Sequence, residues 1–381
     1  MKIFIGGDLS PTKENFELFS SGDGQKLYTN EILEYLKDFD FRIFNFESVI
    51  EGSGSYIQKN GPYITCPEKC LPGIKCLNPD LFVLANNHAN NLGPDGISHT
   101  ISTLKKNGIS CIGAGMNKRE ASKPYFFENN GLIIGFYACA EHEFNSCSIN
   151  EAGVNPYDPL ETFDDIRSIK NQCDFLIVLY HGGQIQFRYP LITEQRALRK
   201  MIDSGADLVI GQHTHCIGCE EIYKDKHILY GQGDFLFARP TNNEYRYSGL
   251  FVALEINGKD CKINYKVRLK PNNTIKFANK DEEKKILGDF YKRSEILHDK
   301  KKYQDIYEKY LDTQYSKYVL TLLGNKRHNI VLRGINKIFK HSFFNAIIRK
   351  NFHKQDLLEL YNYLTCETHY EIFTDLLKRE F

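Results

Sequence analysis

No apolar run in the 381 residues approaches the ~20 that a membrane-spanning helix needs. Nor does one sign of charge dominate. The 49 Lys and Arg face 48 Asp and Glu, a formal net charge of +1, so no global field selects nucleic acid or an acidic partner. Tryptophan is absent. The opening Met1-Lys2-Ile3-Phe4-Ile5 is already strand-like and leaves no room for a signal peptide, so a cytoplasmic location is expected. The eleven cysteines are odd in number and scattered through a chain too large to need stapling, which points to reduced thiols. The pair Cys216 and Cys219 has the Cys-x-x-Cys spacing but no second pair, and reads as two loop cysteines.

What is present is globular: 41% hydrophobic residues and 13% aromatics. Apolar runs predict strands at Lys2–Gly7, Arg42–Glu47, Leu81–Ala85, Leu132–Ala138, Asp174–Tyr180, Asp207–Gly211, His227–Tyr230 and Gly249–Ile256. Amphipathic helices are expected between them, as at Gly96–Asn107 and Thr193–Ser204. Strand–helix alternation means an α/β fold, whose ligand sites lie beyond the carboxyl ends of the strands. After about Lys270 the strand signals fade into Lys-rich, Tyr-rich helical segments. Residues 1–270 are therefore read as one catalytic-type domain and 271–381 as a helical C-terminal extension.

The strand exits carry the chemistry. Gly6-Gly7-Asp8 follows the first, Asn45-Phe46-Glu47 ends the second, and Asn86-Asn87-His88 follows the third. His181-Gly182-Gly183 and His213-Thr214-His215 follow later ones. Alternation along an extended backbone would send His213 and His215 the same way, giving half of a metal site. Mixed oxygen and imidazole donors without cysteine suit Mn, Fe, Zn or Mg, as one ion or as two.

In this order the motifs GGD, NFE, LANNHANNLGPDG, GAGMNKREASKP, YHGG and GADLVIGQHTH, then GQGDF, resemble the capsule-synthesis CapA (poly-γ-glutamate synthesis) family, a branch of the calcineurin-like metallophosphoesterases. The resemblance spans roughly residues 1–255. It implies a four-layer αββα sandwich with a metal site at the sheet edge. It also implies Asp8 and His215 on a first metal, Glu47 as bridging carboxylate, and Asn87, His181 and His213 on a second. His88 would be the catalytic histidine that is not a ligand. Asn45, Lys59 and Arg188 are the candidates for holding substrate. Three departures stand out. Asp8-Leu9-Ser10 lacks the histidine of Asp-x-His, and His181-Gly182-Gly183-Gln184-Ile185 lacks both a tryptophan and a nearby carboxylate. Gly233-Asp234-Phe235 replaces Gly-Asn-Phe; Asp234 is read either as an extra acid for the site or, the favoured reading, as capping a turn.

Two functions follow. The first is a metal-dependent, phosphoesterase-type hydrolase acting on a phosphoester or a cell-surface polymer precursor in capsule, exopolysaccharide or poly-γ-glutamate synthesis. The alternative is a non-catalytic or weakly catalytic scaffold partnered with other capsule-synthesis proteins. From Gln314 to Lys354 there are nine Lys or Arg and no Asp or Glu. Around 326–350 the apolar residues fall at helical spacing. The favoured reading packs that face on the first domain, and the alternative lays it on an anionic membrane surface.

Overall fold

The computed structural model describes residues 1–319 except 60, 239–243, 259 and 272, together with 360, 361 and 364. The apolar runs become β1 (Lys2–Ser10), β2 (Phe41–Phe46), β3 (Leu81–Val83), β4 (Leu132–Ala140), β5 (Phe175–His181), β6 (Leu208–Gln212), β7 (Lys226–Tyr230), β8 (Asp234–Phe237), β9 (Ser248–Asn257) and β10 (Asp260–Leu269). The principal helices are α1 (Gly93–Lys106), α2 (Thr162–Lys170), α3 (Ile192–Asp203), α4 (Lys280–His298) and α5 (Lys300–Val319).

These strands make two sheets. The larger runs Lys276–Phe277, β10, β9, β1, β2, β3, Ser110–Ile112, with β8 lying beside the carboxyl half of β1. The smaller runs Glu220–Tyr223, β7, β6, β5, β4, Tyr125–Asn129. Every residue of β2, β5 and β6 is buried, as expected of parallel strands covered on both faces. A single apolar core joins the sheets: Ile43, Phe44 and Phe82 of one belong with Phe136, Ile177 and Ile210 of the other. Phe41 stacks on Phe127 and Phe136 at centroid distances of 4.4 and 5.5 Å. Outside, α2 packs on β4 and β5, α3 on β6 and β7, and α1 against Ser110–Ile112. The sequence of layers is helix, sheet, sheet, helix, the αββα sandwich that the motifs imply.

The first compact unit extends from Met1 to His298, past the composition change near Lys270. Phe290 of α4 is buried in its core against Tyr265, and Ser294 Oγ accepts the Glu220 N–H at 2.9 Å. The second unit begins at Asp299 and includes α5. The basic segment 326–350 lies outside the described residues. Among the described residues no helix is long and apolar enough to cross a membrane, and the cysteines are free.

Candidate metal centre

Parallel register brings the first donors together. Asp8 of β1 pairs with Asn45 on β2 and with Asp234 on β8, so three polar residues sit abreast at the strand ends. Asp8 can approach Asp234 because the residue before it is glycine. A Cβ on Gly7 would lie 1.9 Å from the Gly233 carbonyl oxygen. The strand expected over Arg42–Glu47 stops at Phe46, leaving Glu47 at the turn. In the smaller sheet, His181 ends β5 opposite Gln212, the last residue of β6.

His213 and His215 are therefore not on an extended strand. Their φ values are +90° and +52°, left-handed geometry that disfavours residues with a Cβ. They converge by this bend of the backbone rather than by strand alternation. The loop behind them is held in place by Arg293 of α4, which donates to the carbonyls of Gly218 (2.8 Å) and Ile217 (3.2 Å).

The result is a closed set of donors, buried except for the half-buried Asn87. His213 Nδ1 lies 3.0 Å from His181 Nε2, which is also 3.2 Å from Asn87 Oδ1. Asn45 Nδ2 donates to Asp8 Oδ1 at 2.7 Å and lies 3.1 Å from His181 Nδ1. Asn86 Oδ1 accepts the His88 N–H at 3.0 Å, and Asn91 Nδ2 lies 3.1 Å from His88 Nδ1, fixing that ring. Two groups of three have ligand atoms within 4.8 Å of one another: Glu47, His213 and His215, and Asp8, His215 and Asp234.

Glu47 is the least satisfied member. It is wholly buried, and among the described residues neither carboxylate oxygen has a hydrogen-bond partner. The Nε2 atoms of His215, His88 and His181 stand 3.6, 3.8 and 3.9 Å from Oε1, too far for hydrogen bonds. Burial, reinforced by Asp8 and Asp234 against the opposing pull of His215 and Arg246, pushes its carboxyl up to about 8. Burial with the neighbouring histidines pulls His181 well below the usual imidazole range, and burial with His215 brings His213 to about 4. Burial disfavours charge on His215 too, but Glu47 and Asp234 outweigh it and hold the ring at about 10. Asp234 lies at about 2, since Arg246 and His215 overcome its burial.

These donors fit a divalent cation. Burial disfavours charge on His181 and His213, which favours the neutral imidazole that can ligate a metal. A buried carboxylate without a partner is otherwise expensive.

Of the residues expected at the site, Asp8, Asn45, Glu47, Asn87, His88, His181, His213 and His215 all lie in this cluster. Lys59 Nζ reaches it from the loop after Glu47, donating to Asn91 Oδ1 at 2.9 Å and Asn87 O at 3.2 Å. Arg188 instead donates to Ile217 O at 2.9 Å and lies over the Tyr245 ring. The turn-cap reading of Asp234 fails: it opens β8, and Oδ1 sits 2.7 Å from His215 Nδ1. Arg246, whose Nη1 donates to Asp234 Oδ2 at 3.3 Å, carried no sequence signal. Two carboxylates from elsewhere in the chain lie against the segment around His181. Glu194 Oε1 would lie 2.7 Å from a Cβ on Gly183, and Glu141 Oε1 accepts from Tyr180 at 2.8 Å.

Several known proteins are similar to this chain. The PGA biosynthesis protein CapA of Bacillus subtilis is 29% identical over 203 residues, covering 52% of this chain and 53% of its own. The capsule biosynthesis protein CapA of Bacillus anthracis is 25% identical over 213 residues, 53% of this chain and 52% of its own. The chain thus spans about half the length of the curated relatives it matches. Among solved structures, a novel phosphatase of Mycoplasma pneumoniae aligns with a TM-score of 0.42 and 13% identity, over 70% of this chain and 93% of that one. The sequence model of the family described as bacterial capsule synthesis protein PGA_cap matches residues 2–239, and the chain belongs to that family.

Proposed function

We propose that this chain is a metal-dependent hydrolase of the phosphoesterase type, acting in the cytoplasm on a phosphoester or polymer precursor of capsule or poly-γ-glutamate synthesis. One observation carries the reading: Glu47, buried and without a hydrogen-bond partner among the described residues, faces imidazoles of three histidines at 3.6–3.9 Å. The capsule context is supported by family membership and by the names of the Bacillus relatives.

Glu47, His181, His213 and Asn87 would hold one cation, and Asp8 and His215 a second. A bound cation neutralises phosphate charge and acidifies a water. The remaining work belongs to side chains. His88, its Nδ1 engaged by Asn91, turns Nε2 toward Glu47 and gives its proton to the leaving oxygen. Lys59, tethered at the rim by Asn87 and Asn91, places a positive charge for a phosphate or carboxylate. Asn45 spans Asp8 and His181 and keeps the two halves of the site in register.

Elemental analysis of the purified protein, with turnover of a panel of phosphomonoesters and phosphodiesters with and without Mn(II), tests the reading. Wild type is expected to carry metal and hydrolyse one ester class, and His213→Ala to lose both. A metal-free wild type indistinguishable from His213→Ala would sink it. Metal without turnover would favour a binding scaffold in a capsule-assembly complex.

A further inference from the structure

We infer that Asp234 is itself a metal ligand, forming with Asp8 and His215 a cation site that the absent histidine at position 10 would leave incomplete. The inference rests on the divalent-cation reading above. It assigns a ligand role to Asp234 of the GQGDF motif, to which the resemblance gave none.

The three ligand atoms of Asp8, His215 and Asp234 lie within 4.8 Å of one another. Asp234 Oδ1 lies 2.7 Å and Asp8 Oδ2 3.2 Å from the same atom, His215 Nδ1. Octahedral ligands held at about 2.1 Å from an ion sit about 3.0 Å from one another. Backbone register fixes the two carboxylates, because Asp8 and Asp234 are direct partners on parallel strands. Their approach does not depend on long side chains swinging into place. Ser10 contributes nothing: its hydroxyl donates to the Pro11 carbonyl at 3.3 Å, and its strand partner is Phe237.

Asp234 also has its second oxygen engaged. Arg246 Nη1 donates to Oδ2, and Arg268 Nε donates to the Asp234 main-chain carbonyl at 2.6 Å. Both arginines are buried. They hold the carboxylate with Oδ1 directed at the Asp8–His215 pair. A rival role is a positioning residue that merely orients the His215 ring through Nδ1–H. That role needs one acceptor, whereas two carboxylates converge on Nδ1.

Asp234→Asn separates the two roles, since the amide oxygen still accepts a hydrogen bond while the charge is lost. Equilibrium dialysis against Mn(II), followed by elemental analysis, counts ions per chain and gives their Kd values. Melting in EDTA checks that wild type and variant fold alike. We expect Asp234→Asn to lose one equivalent, or to bind it at least about 100-fold more weakly, beyond the range typical when only a residue behind a ligand is changed. Asp8→Asn should lose the same equivalent, and the double variant no more than either. Should Asp234→Asn fold poorly, Asp234→Glu keeps a charge beside Arg246 and is expected to weaken that same ion. Wild type that binds Mn(II) while Asp234→Asn binds it equally, or less than about 100-fold more weakly, overturns the inference and leaves Asp234 a positioning residue. Wild type that binds no Mn(II) overturns the underlying hydrolase reading as well.

Discussion

Glu194 shows how strongly single residues are shaped by this interior. It lies in the first turn of α3, accepts the Leu191 N–H at 3.0 Å, and is pushed to about 8 by burial, with Glu141 adding to the shift against the Leu191 hydrogen bond. Its folded value is above its ordinary value of 4.5, so the folded state favours the protonated acid. The stability this group contributes is complete below about 4.5 and is lost as pH rises through about 8, at about 1.4 kcal/mol per unit crossed. Glu194→Gln imitates the protonated acid. It should melt above wild type at pH 8 and show a smaller difference between pH 5 and pH 8. Identical pH profiles by calorimetry would refute this. Most of the candidate site was legible at the residue scale, because Asp8, Glu47, His88, His181 and the His213–His215 pair each lie at or just past the carboxyl end of a strand and announce themselves by type. Asp234 did so only weakly, as the less favoured of two readings, and Arg246 not at all. Asp234 sits between Gly233 and Phe235 as a turn residue would, and its meaning comes from a pairing with Asp8 that local sequence does not encode.

At the scale of elements, the close crossing of β1 over Gly231–Gly233 decides whether the two halves of the site meet. Gly7→Ala would drive a methyl into the Gly233 carbonyl, a backbone atom that cannot rotate away. We expect a loss of about 1–3 kcal/mol in urea unfolding, the usual range for overpacking, together with reduced metal content although Gly7 is no ligand. Unchanged stability and metal content would show that the strands can part without consequence. The strands themselves were readable because β5 and β6 are continuous apolar runs, buried on both faces. The bend at His213 and His215 was not, since a positive φ at a histidine is imposed by surroundings rather than by propensity. β10, half exposed and alternating Asp260-Cys261-Lys262-Ile263-Asn264, lacks the uniform apolar signal of the central strands.

For the molecule as a whole, α4 belongs with the first unit. A chain ending at His298 retains Phe290 in the core and Arg293 on the loop after His215, whereas one ending at Lys270 loses both. The shorter chain should melt lower and bind less Mn(II) than the longer, since losing a buried Phe alone typically costs about 3–5 kcal/mol. Equal melting temperatures and metal contents would contradict that. Composition marked where strands give way to helices, but the packing of an amphipathic helix is settled by the surface that receives it. The position of β1 has a further consequence. It is central in the larger sheet, pairs with β9, and its Met1 amino group donates to Ile256 O at 3.0 Å. During synthesis, which releases the amino end first, β1 must wait with one edge unpaired until its partners there, β8 and β9, have emerged. Asp8 lies far ahead of its partners in the chain, so the centre it would serve closes only once Asp234 and β9 have also left the ribosome. A chain translated only as far as β7 should therefore be unable to hold the proposed cation at Asp8, Asp234 and His215.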